Sequence, residues 1–149
     1  MNTMVMSVGQ LERSLSQQIQ ALYYERLGHR PSKVTCQLFD EKLAIVIEDS
    51  ITQPEQLLQK EGQEALVEQV RADLNSAMQA QLKNTIASIL STEVLDIMAN
   101  STLETGRTGI IAVLDRTPQV RNPESIPKSK HRHQTNDDRD GQVAQTQAD

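Results

Sequence analysis

The longest helical pattern in the chain runs from Thr52 to Leu90, and it constrains the fold more than any other feature. Apolar residues recur there at steps of three and four, the spacing that places side chains on one face of an α-helix. These residues are Leu66, Val67, Val70, Leu74, Ala77, Met78, Leu82, Ile86, Ile89 and Leu90. The predicted polar outer face consists of Glu68, Arg71, Asp73, Asn75, Gln79, Gln81 and Lys83.

The start of this pattern and one weak point within it are visible in the sequence. Thr52, Pro54 and Glu55 predict a capping box with proline in the first turn. Gly62 predicts a kink or break, because glycine costs a helix about 1 kcal/mol relative to alanine. The remaining helix, 63–90, would be about 42 Å long, more than a small sheet can cover. We therefore expect a partner chain on its apolar face, at an oligomer interface formed by Leu74, Met78, Leu82 and Ile86.

The segments on either side of this helix predict one more helix and four strands. Apolar spacing between Ser7 and Gly28 predicts a helix over 8–27, with a capping box at its start and a glycine cap at its end. Alternating or continuous apolar runs predict strands at 33–38, 43–47, 94–99 and 110–114. This α-β-β-α-β-β order predicts an α+β two-layer sandwich, with both helices covering a four-stranded, mainly antiparallel sheet.

Composition limits the chain to one domain and excludes several classes of partner. We predict a domain over 1–118 and a disordered polar tail over 119–149, which is too poor in aliphatic residues to offset its chain entropy. Residues 1–118 carry 15 acidic and 10 basic side chains, a balance unlike that of nucleic-acid-binding surfaces. A single cysteine, no signal peptide and no apolar run of about 18 residues predict a cytoplasmic protein without direct membrane insertion.

Two short segments are candidates for binding an anionic ligand. Glycine amides in the segment Gly106–Gly109, together with Arg107, have the chemistry to hold a small carboxylate, bicarbonate or phosphate. The alternative interpretation of this segment is a hairpin turn that needs a positive φ. His29 and Arg30 follow the first helix and present a second pair of basic groups, although cations also stabilise a helix C-terminus without binding anything.

No pattern in the chain indicates catalysis. Cys36 alternates with Val34 and Leu38, so we interpret it as a buried small hydrophobe, with a thiol nucleophile served by His29 as the alternative. His131 and His133 lie in the predicted tail without further metal ligands at fixed spacing. We predict no enzyme activity, no metal and no cofactor.

Four segments together resemble the MpsC family, small bacterial proteins of unknown function. They are 23–31 at the end of the first helix, 45–49 at the end of the hairpin, 51–55 at the entry to the long helix, and 109–114 in the last strand. The resemblance covers about 8–115. It implies an accessory part of a cation-coupled, membrane-potential-generating system that supplies inorganic carbon. The family pattern provides no active-site residues to transfer.

Two functional hypotheses follow from these observations. The first is a non-enzymatic cytoplasmic accessory or regulatory protein linked to inorganic-carbon or cation uptake. It would act as a homo-oligomer, with a dimer as the first expectation, and would bind a membrane transport complex or another protein. The second is a sensor domain for a small anionic metabolite or nucleotide, which would bind through Arg30 and Arg107.

Overall fold

The structure is a computed structural model that describes residues 5–129. These residues form two layers, one of helices and one of strands. In chain order the elements are α1 (Val8–Leu27), β1 (Lys33–Phe39), β2 (Lys42–Glu48), α2 (Gln53–Lys60), α3 (Glu64–Leu90), β3 (Val94–Thr102), β4 (Arg107–Leu114) and a 3₁₀ helix (Pro123–Ser125). The strands form one sheet in the order β1-β2-β4-β3, and all neighbours are antiparallel. The predicted α+β sandwich is confirmed.

α1 begins and ends at the predicted residues because its caps satisfy the free backbone groups of the helix ends. The backbone amide of Gln10 donates to Ser7 Oγ at 3.1 Å, and the amide of Ser7 donates to Gln10 Oε1 at 2.9 Å. Gly28 ends the helix in the left-handed region at φ +69°. One face of α1 is buried, through Val8, Leu11, Leu15, Ile19 and Tyr23.

The core lies between the helices and one face of the sheet. α1 and α3 both pack on this face, and alternate strand residues point into the core. The strand side chains that are buried there are Cys36, Leu38, Leu43, Ile45, Ile47, Val94, Ile97, Ile110, Ala112 and Leu114. The opposite face of the sheet has no helix on it within the described residues.

The long helical pattern is divided into α2 and α3 at the predicted glycine. α2 ends at Lys60, Gly62 has a φ of +80°, and α3 begins at Glu64. The amide of Thr52 donates to Glu55 Oε1 at 3.0 Å, and the Thr52 hydroxyl donates to the same oxygen at 2.7 Å. Glu55 therefore reaches back to the N-cap residue as the capping-box pattern predicts.

The buried face of α3 differs from the predicted apolar stripe. Arg71 and Asn75, predicted on the outer face, are 3% and 9% exposed, whereas Leu66 in the predicted stripe is 47% exposed. Arg71 is buried because it pairs with a carboxylate of α2, described below. The buried residues of α3 are Val67, Arg71, Asn75, Met78, Leu82, Ile86 and Leu90.

The observed burial pattern of α3 does not leave the predicted oligomer interface exposed. Met78, Leu82 and Ile86 are at most 3% exposed and belong to the core of the single chain, and Leu74 is half-buried. The second half of α3 does not present a free apolar stripe, because its buried side chains pack in the core with the sheet and α1. A partner chain cannot bind through these core side chains while the domain stays folded.

The predicted domain boundary at 118 also needs correction. Residues 119–129, predicted to be disordered, pack on the domain, with Val120 8% and Ile126 2% exposed within the core. The amide of Asp40 donates to the carbonyl of Pro127 at 2.8 Å, and the amide of Val8 donates to Asn122 Oδ1 at 2.9 Å. Two aliphatic anchors and these hydrogen bonds hold the segment. The rest of the predicted tail, 130–149, lies outside the described residues.

Replacing Ile126 with alanine tests whether this C-terminal segment is part of the folded unit. We expect the free energy of unfolding to fall by about 2–5 kcal/mol, the cost of truncating a fully buried isoleucine. Lys128→Ala, an exposed substitution two residues away, is the control and should stay within about 0.5 kcal/mol of the parent. Urea denaturation followed by circular dichroism measures both. Equal stability of the two variants would contradict the packing described here.

Candidate functional site

A cluster of buried polar side chains lies at the end of the sandwich where β2 leads into α2. Its centre is an ion pair between Arg71 of α3 and Glu55 of α2, whose side chains are 4% and 2% exposed. Arg71 Nε donates to Glu55 Oε2 at 2.8 Å, Nη2 donates to Glu55 Oε1, and Nη2 also donates to the carbonyl of Ser50 at 2.9 Å. We call Ser50, Thr52, Glu55, Arg71, Asn75, Ser101 and Thr108 the polar cluster.

The hydrogen bonds of Glu55 determine its charge state. Burial alone raises the pKa of a carboxyl group, but donors from Arg71 and Thr52 stabilise the ionised form and outweigh burial, so that the pKa of Glu55 lies below its ordinary value. Both carboxylate oxygens have donors. The pair is therefore fully ionised and neutral overall at physiological pH.

Hydroxyl and amide groups extend the polar cluster from the helices to the sheet. Asn75 Nδ2 donates to Ser101 Oγ at 3.1 Å, and the hydroxyls of Ser101 and Thr108 lie 2.7 Å apart. Thr108 contacts the Ser50 hydroxyl at 2.8 Å, and Ser50 Oγ donates to the carbonyl of Gly106 at 3.0 Å. This continuous chain of bonds fixes the β3–β4 hairpin relative to α2 and α3.

A cleft of about 500 Å³ opens beside the polar cluster, between the first half of α3 and the β3–β4 hairpin. Its lining includes the carboxylates of Glu64, Glu68 and Glu104. The only cation among its lining residues, Arg71, is already neutralised by Glu55. The cleft is thus acidic and disfavours an anionic metabolite. Within residues 5–129, no three His, Cys, Asp or Glu side chains are grouped to hold a metal ion.

The predicted anion-binding segment is a hairpin turn leading into a strand. Gly106 has a φ of +74°, and its amide donates to the carbonyl of Thr102 at 2.9 Å. Arg107 Nε donates to Glu48 Oε1 at 2.7 Å, and Gly109 lies within the sheet between Val46 and Asn100. The glycine amides do not converge with a free guanidinium, so the geometry matches the alternative interpretation as a turn.

The two basic residues after α1 also contact groups of the protein itself. His29 Nε2 lies 2.7 Å from the carbonyl oxygen of Asp49, and the Arg30 guanidinium lies 4.7 Å from the centre of the Tyr24 ring. The structure does bring His29 to the same end of the sheet as Arg107, because Glu48 and Asp49 are consecutive. His131 and His133 lie outside the described residues.

The thiol of Cys36 faces the core, and its environment suppresses nucleophilicity. Its side chain is 6% exposed on the helix-facing side of β1. Burial raises the pKa of Cys36 to about 11, and Glu12 adds to this effect while a hydrogen bond with Ser16 opposes it. At neutral pH the group is the protonated thiol, which is a poor nucleophile. This agrees with the interpretation of Cys36 as a buried small hydrophobe.

The uncovered side of the sheet, which we call the open face, carries apolar side chains at its centre. Val46 of β2 and Met98 of β3 are 40% and 50% exposed, and Ala44, Ile111 and Val113 are half-buried beside them. Continuous apolar runs in β2 and β4 are typical of strands covered on both faces. Here the described part of the chain covers one face, and this surface was missing from the sequence predictions.

The fold and these surfaces define a small two-layer α+β domain in which residues 5–129 cover one side of the sheet. A sequence model of the MpsC family, described as a Na⁺-translocating membrane potential-generating system, matches residues 7–116. The chain belongs to the MpsC family, as the sequence resemblance predicted. No curated protein and no solved structure matches the chain. Among the helices within 5–129, none combines the length and apolar character needed to cross a bilayer.

Substituting Glu55 tests the energetic importance of the polar cluster. Glu55→Gln leaves Arg71 as an unpaired buried charge, so we expect a loss of about 3–5 kcal/mol in the free energy of unfolding at pH 7. The control is Glu61→Gln, which removes an equal charge from an exposed position near the end of α2. Addition of Arg71→Met to Glu55→Gln should restore part of the loss, because the stranded charge is gone. A double variant as unstable as the sum of both single variants would contradict this pairing.

The same ion pair predicts how stability depends on pH. Because the pKa of Glu55 is lowered by folding, its contribution is fully present above the unfolded-state value of about 4.3 and disappears as the pH falls through the folded-state value. We therefore expect the stability difference between the parent and Glu55→Gln to narrow progressively below about pH 4.3. Urea midpoints measured between pH 7 and pH 3 test this, and a constant difference would contradict it.

Proposed function

We propose that this chain is a non-enzymatic accessory subunit of a Na⁺-translocating, membrane-potential-generating system, and that it acts by binding protein through the open face of its sheet. The observation that carries the proposal is the apolar centre of that face, with Val46 and Met98 40% and 50% exposed. Exposed apolar side chains grouped on one surface are typical of interaction sites. The family description supplies the system in which such a subunit would work.

The properties of the reactive side chains favour binding over catalysis. Cys36 is a protonated, buried thiol, and His29 contacts a backbone carbonyl. Glu55 and Arg71, the most deeply buried charged groups of the described chain, bond to each other and to the Ser50 loop. These bonds connect the helices to the sheet. The acidic lining of the cleft weighs against the alternative function as a sensor of anionic metabolites.

We place the subunit on the cytoplasmic side of the membrane, where it would regulate or assist a membrane component that moves cations or inorganic carbon. The open face is a rigid surface for a protein contact, because the sheet is held from behind by α1 and α3. The charged groups Glu48 and Arg107 lie at one end of this face and pair with each other at 2.7 Å. They place a polar edge beside the apolar centre, and protein interfaces usually combine an apolar core with polar surroundings.

Charge substitutions on the open face test the proposal in cells. In a host strain lacking the chain, we expect Val46→Asp and Met98→Asp to abolish complementation of the Na⁺-dependent membrane potential, because a carboxylate at the centre of an interface must be desolvated. Leu57→Asp changes an equally apolar side chain that is 58% exposed on α2, and should complement like the parent. A voltage-sensitive dye reports the potential, and immunoblotting confirms equal protein levels.

Full complementation by both open-face variants at normal protein levels would overturn the proposed role of this surface. Failure of Leu57→Asp together with the other two would also count against it, because the effect would then follow lost apolar area anywhere on the protein. The proposal of a non-enzymatic subunit predicts, in addition, that Cys36→Ala and His29→Ala complement normally.

A further inference from the structure

We propose that the open face binds a second copy of this chain, with the two sheets face to face across a twofold axis that runs between β2 and β4. This inference rests on the proposed function only in that both treat the open face as an interface. It goes further by naming the partner and the register.

The apolar centre of the open face alternates between large and small residues. The strand register pairs Val46 of β2 with Gly109 of β4, and two residues along it pairs Ala44 with Ile111. In the first pair the larger side chain is on β2, and in the second pair it is on β4. The centre of the face therefore has a raised position beside a depression in each row, with the order reversed between rows.

Gly109 is a glycine that the fold of the single chain does not require. Its φ is not positive, so its backbone would accept any residue, and a Cβ built at this position has no atom within 4 Å. Glycine inside a strand lowers its stability, and it often marks a position where another group approaches closely. The isolated domain therefore does not require a residue without a side chain at Gly109.

A twofold axis parallel to the strands places β2 of one copy over β4 of the other. Val46 then faces Gly109 of the partner subunit, and Ala44 faces Ile111 of the partner subunit. Both contacts bring a large side chain onto a small residue, and each contact occurs twice in the dimer because of the twofold symmetry. Such self-complementarity is the requirement of a twofold interface, in which one patch must fit itself. A different protein partner would not require it.

The charges at the end of the face fit the same axis. Glu48 and Arg107 are neighbours within one copy, with their side chains 35% and 55% exposed. The axis places Glu48 over Arg107 of the partner subunit, so that the four charges alternate in sign. A twofold axis running across the strands also matches large with small residues, and it sets Glu48 over Lys42 and Arg107 over Val113 of the partner subunit. Each axis therefore pairs Glu48 with a cation, and the charge exchange described below distinguishes the axis parallel to the strands, which pairs it with Arg107.

The size of the face sets the expected strength of the dimer. Four strands about 4.8 Å apart and about seven residues long give a face of roughly 19 by 23 Å, an area of about 440 Å². This area is smaller than the ~800 Å² that each partner buries in a typical stable complex. We therefore expect a dimer that dissociates within the micromolar range, so that protein concentration controls its population.

Sedimentation velocity of the full chain between 1 and 200 µM tests the inference. We expect a reversible monomer–dimer equilibrium for the parent. Gly109→Val fills the depression and should raise the dissociation constant at least tenfold, while the melting temperature of the monomer stays equal or rises. The matched swap Val46→Ala with Gly109→Val moves the large residue from β2 to β4, and should recover most of the lost affinity. Leu57→Asp is the control and should dimerise like the parent.

A charge exchange tests the axis separately. Glu48→Arg alone should weaken the dimer, and addition of Arg107→Glu should restore it, because the pairs between copies re-form with reversed polarity. A strictly monomeric parent at 200 µM overturns the inference, as does a dimer unaffected by Gly109→Val. If the parent is monomeric but Val46→Asp still abolishes complementation in cells, the inference fails and the proposed function stands. If the parent dimerises through this face but Val46→Asp complements fully, the reverse holds.

Discussion

A β-sheet has two faces, and the helices of this chain are placed to cover one of them. α1 and α3 both pack on the side that carries Leu43, Ile45 and Ile47, so the core is complete on that side. No helix within residues 5–129 covers the other side. Burial of Val46 and Met98 on the open face therefore requires a contact from outside this part of the chain.

The helices keep their position on one face of the sheet because separate sets of contacts hold the two ends of the sandwich. At one end the Arg71–Glu55 pair connects α2, α3 and the Ser50 loop, and hydroxyl contacts carry the connection to β4. At the other end the segment containing Ile126 crosses the β1–β2 turn and bonds to Asp40. Neither connection uses the open face. The helices are therefore held in place without any group that an interface would need.

Much of the fold could be predicted from the sequence because the local signals agree with each other. Ser7 and Gln10 form their capping box, Gly62 separates two helices, and the apolar runs indicate where the four strands lie along the chain. Arg71 was missed because periodicity assigns a charged residue to the solvent face. It nevertheless lies four residues after Val67, in phase with the buried positions that follow. Its partner Glu55 is 16 residues away, across the break at Gly62. Such pairing depends on the angle between two helices, which local patterns do not contain.

The C-terminal segment and the open face were missed for different physical reasons. Average composition described 119–129 as polar, but two anchors, Val120 and Ile126, and a few backbone hydrogen bonds are enough to hold a short segment on a core that already exists. The open face was not predicted because the apolar run 43–47 indicates a central strand but does not indicate how many of its faces are covered. The number of covering layers is a property of the whole chain.

Gly109 and Val46 both lower the stability of the isolated domain. A monomer selected for stability alone would favour a β-branched residue at this central strand position, since glycine costs backbone entropy and contributes no packing. It would also favour a polar residue in place of Val46, which is 40% exposed. The chain has the less stable choice at both positions, and the sheet register sets them side by side. Each choice costs the isolated domain stability, and the two together form a projection and a depression of matching size. Contact with a second surface of the same shape turns both costs into buried apolar area.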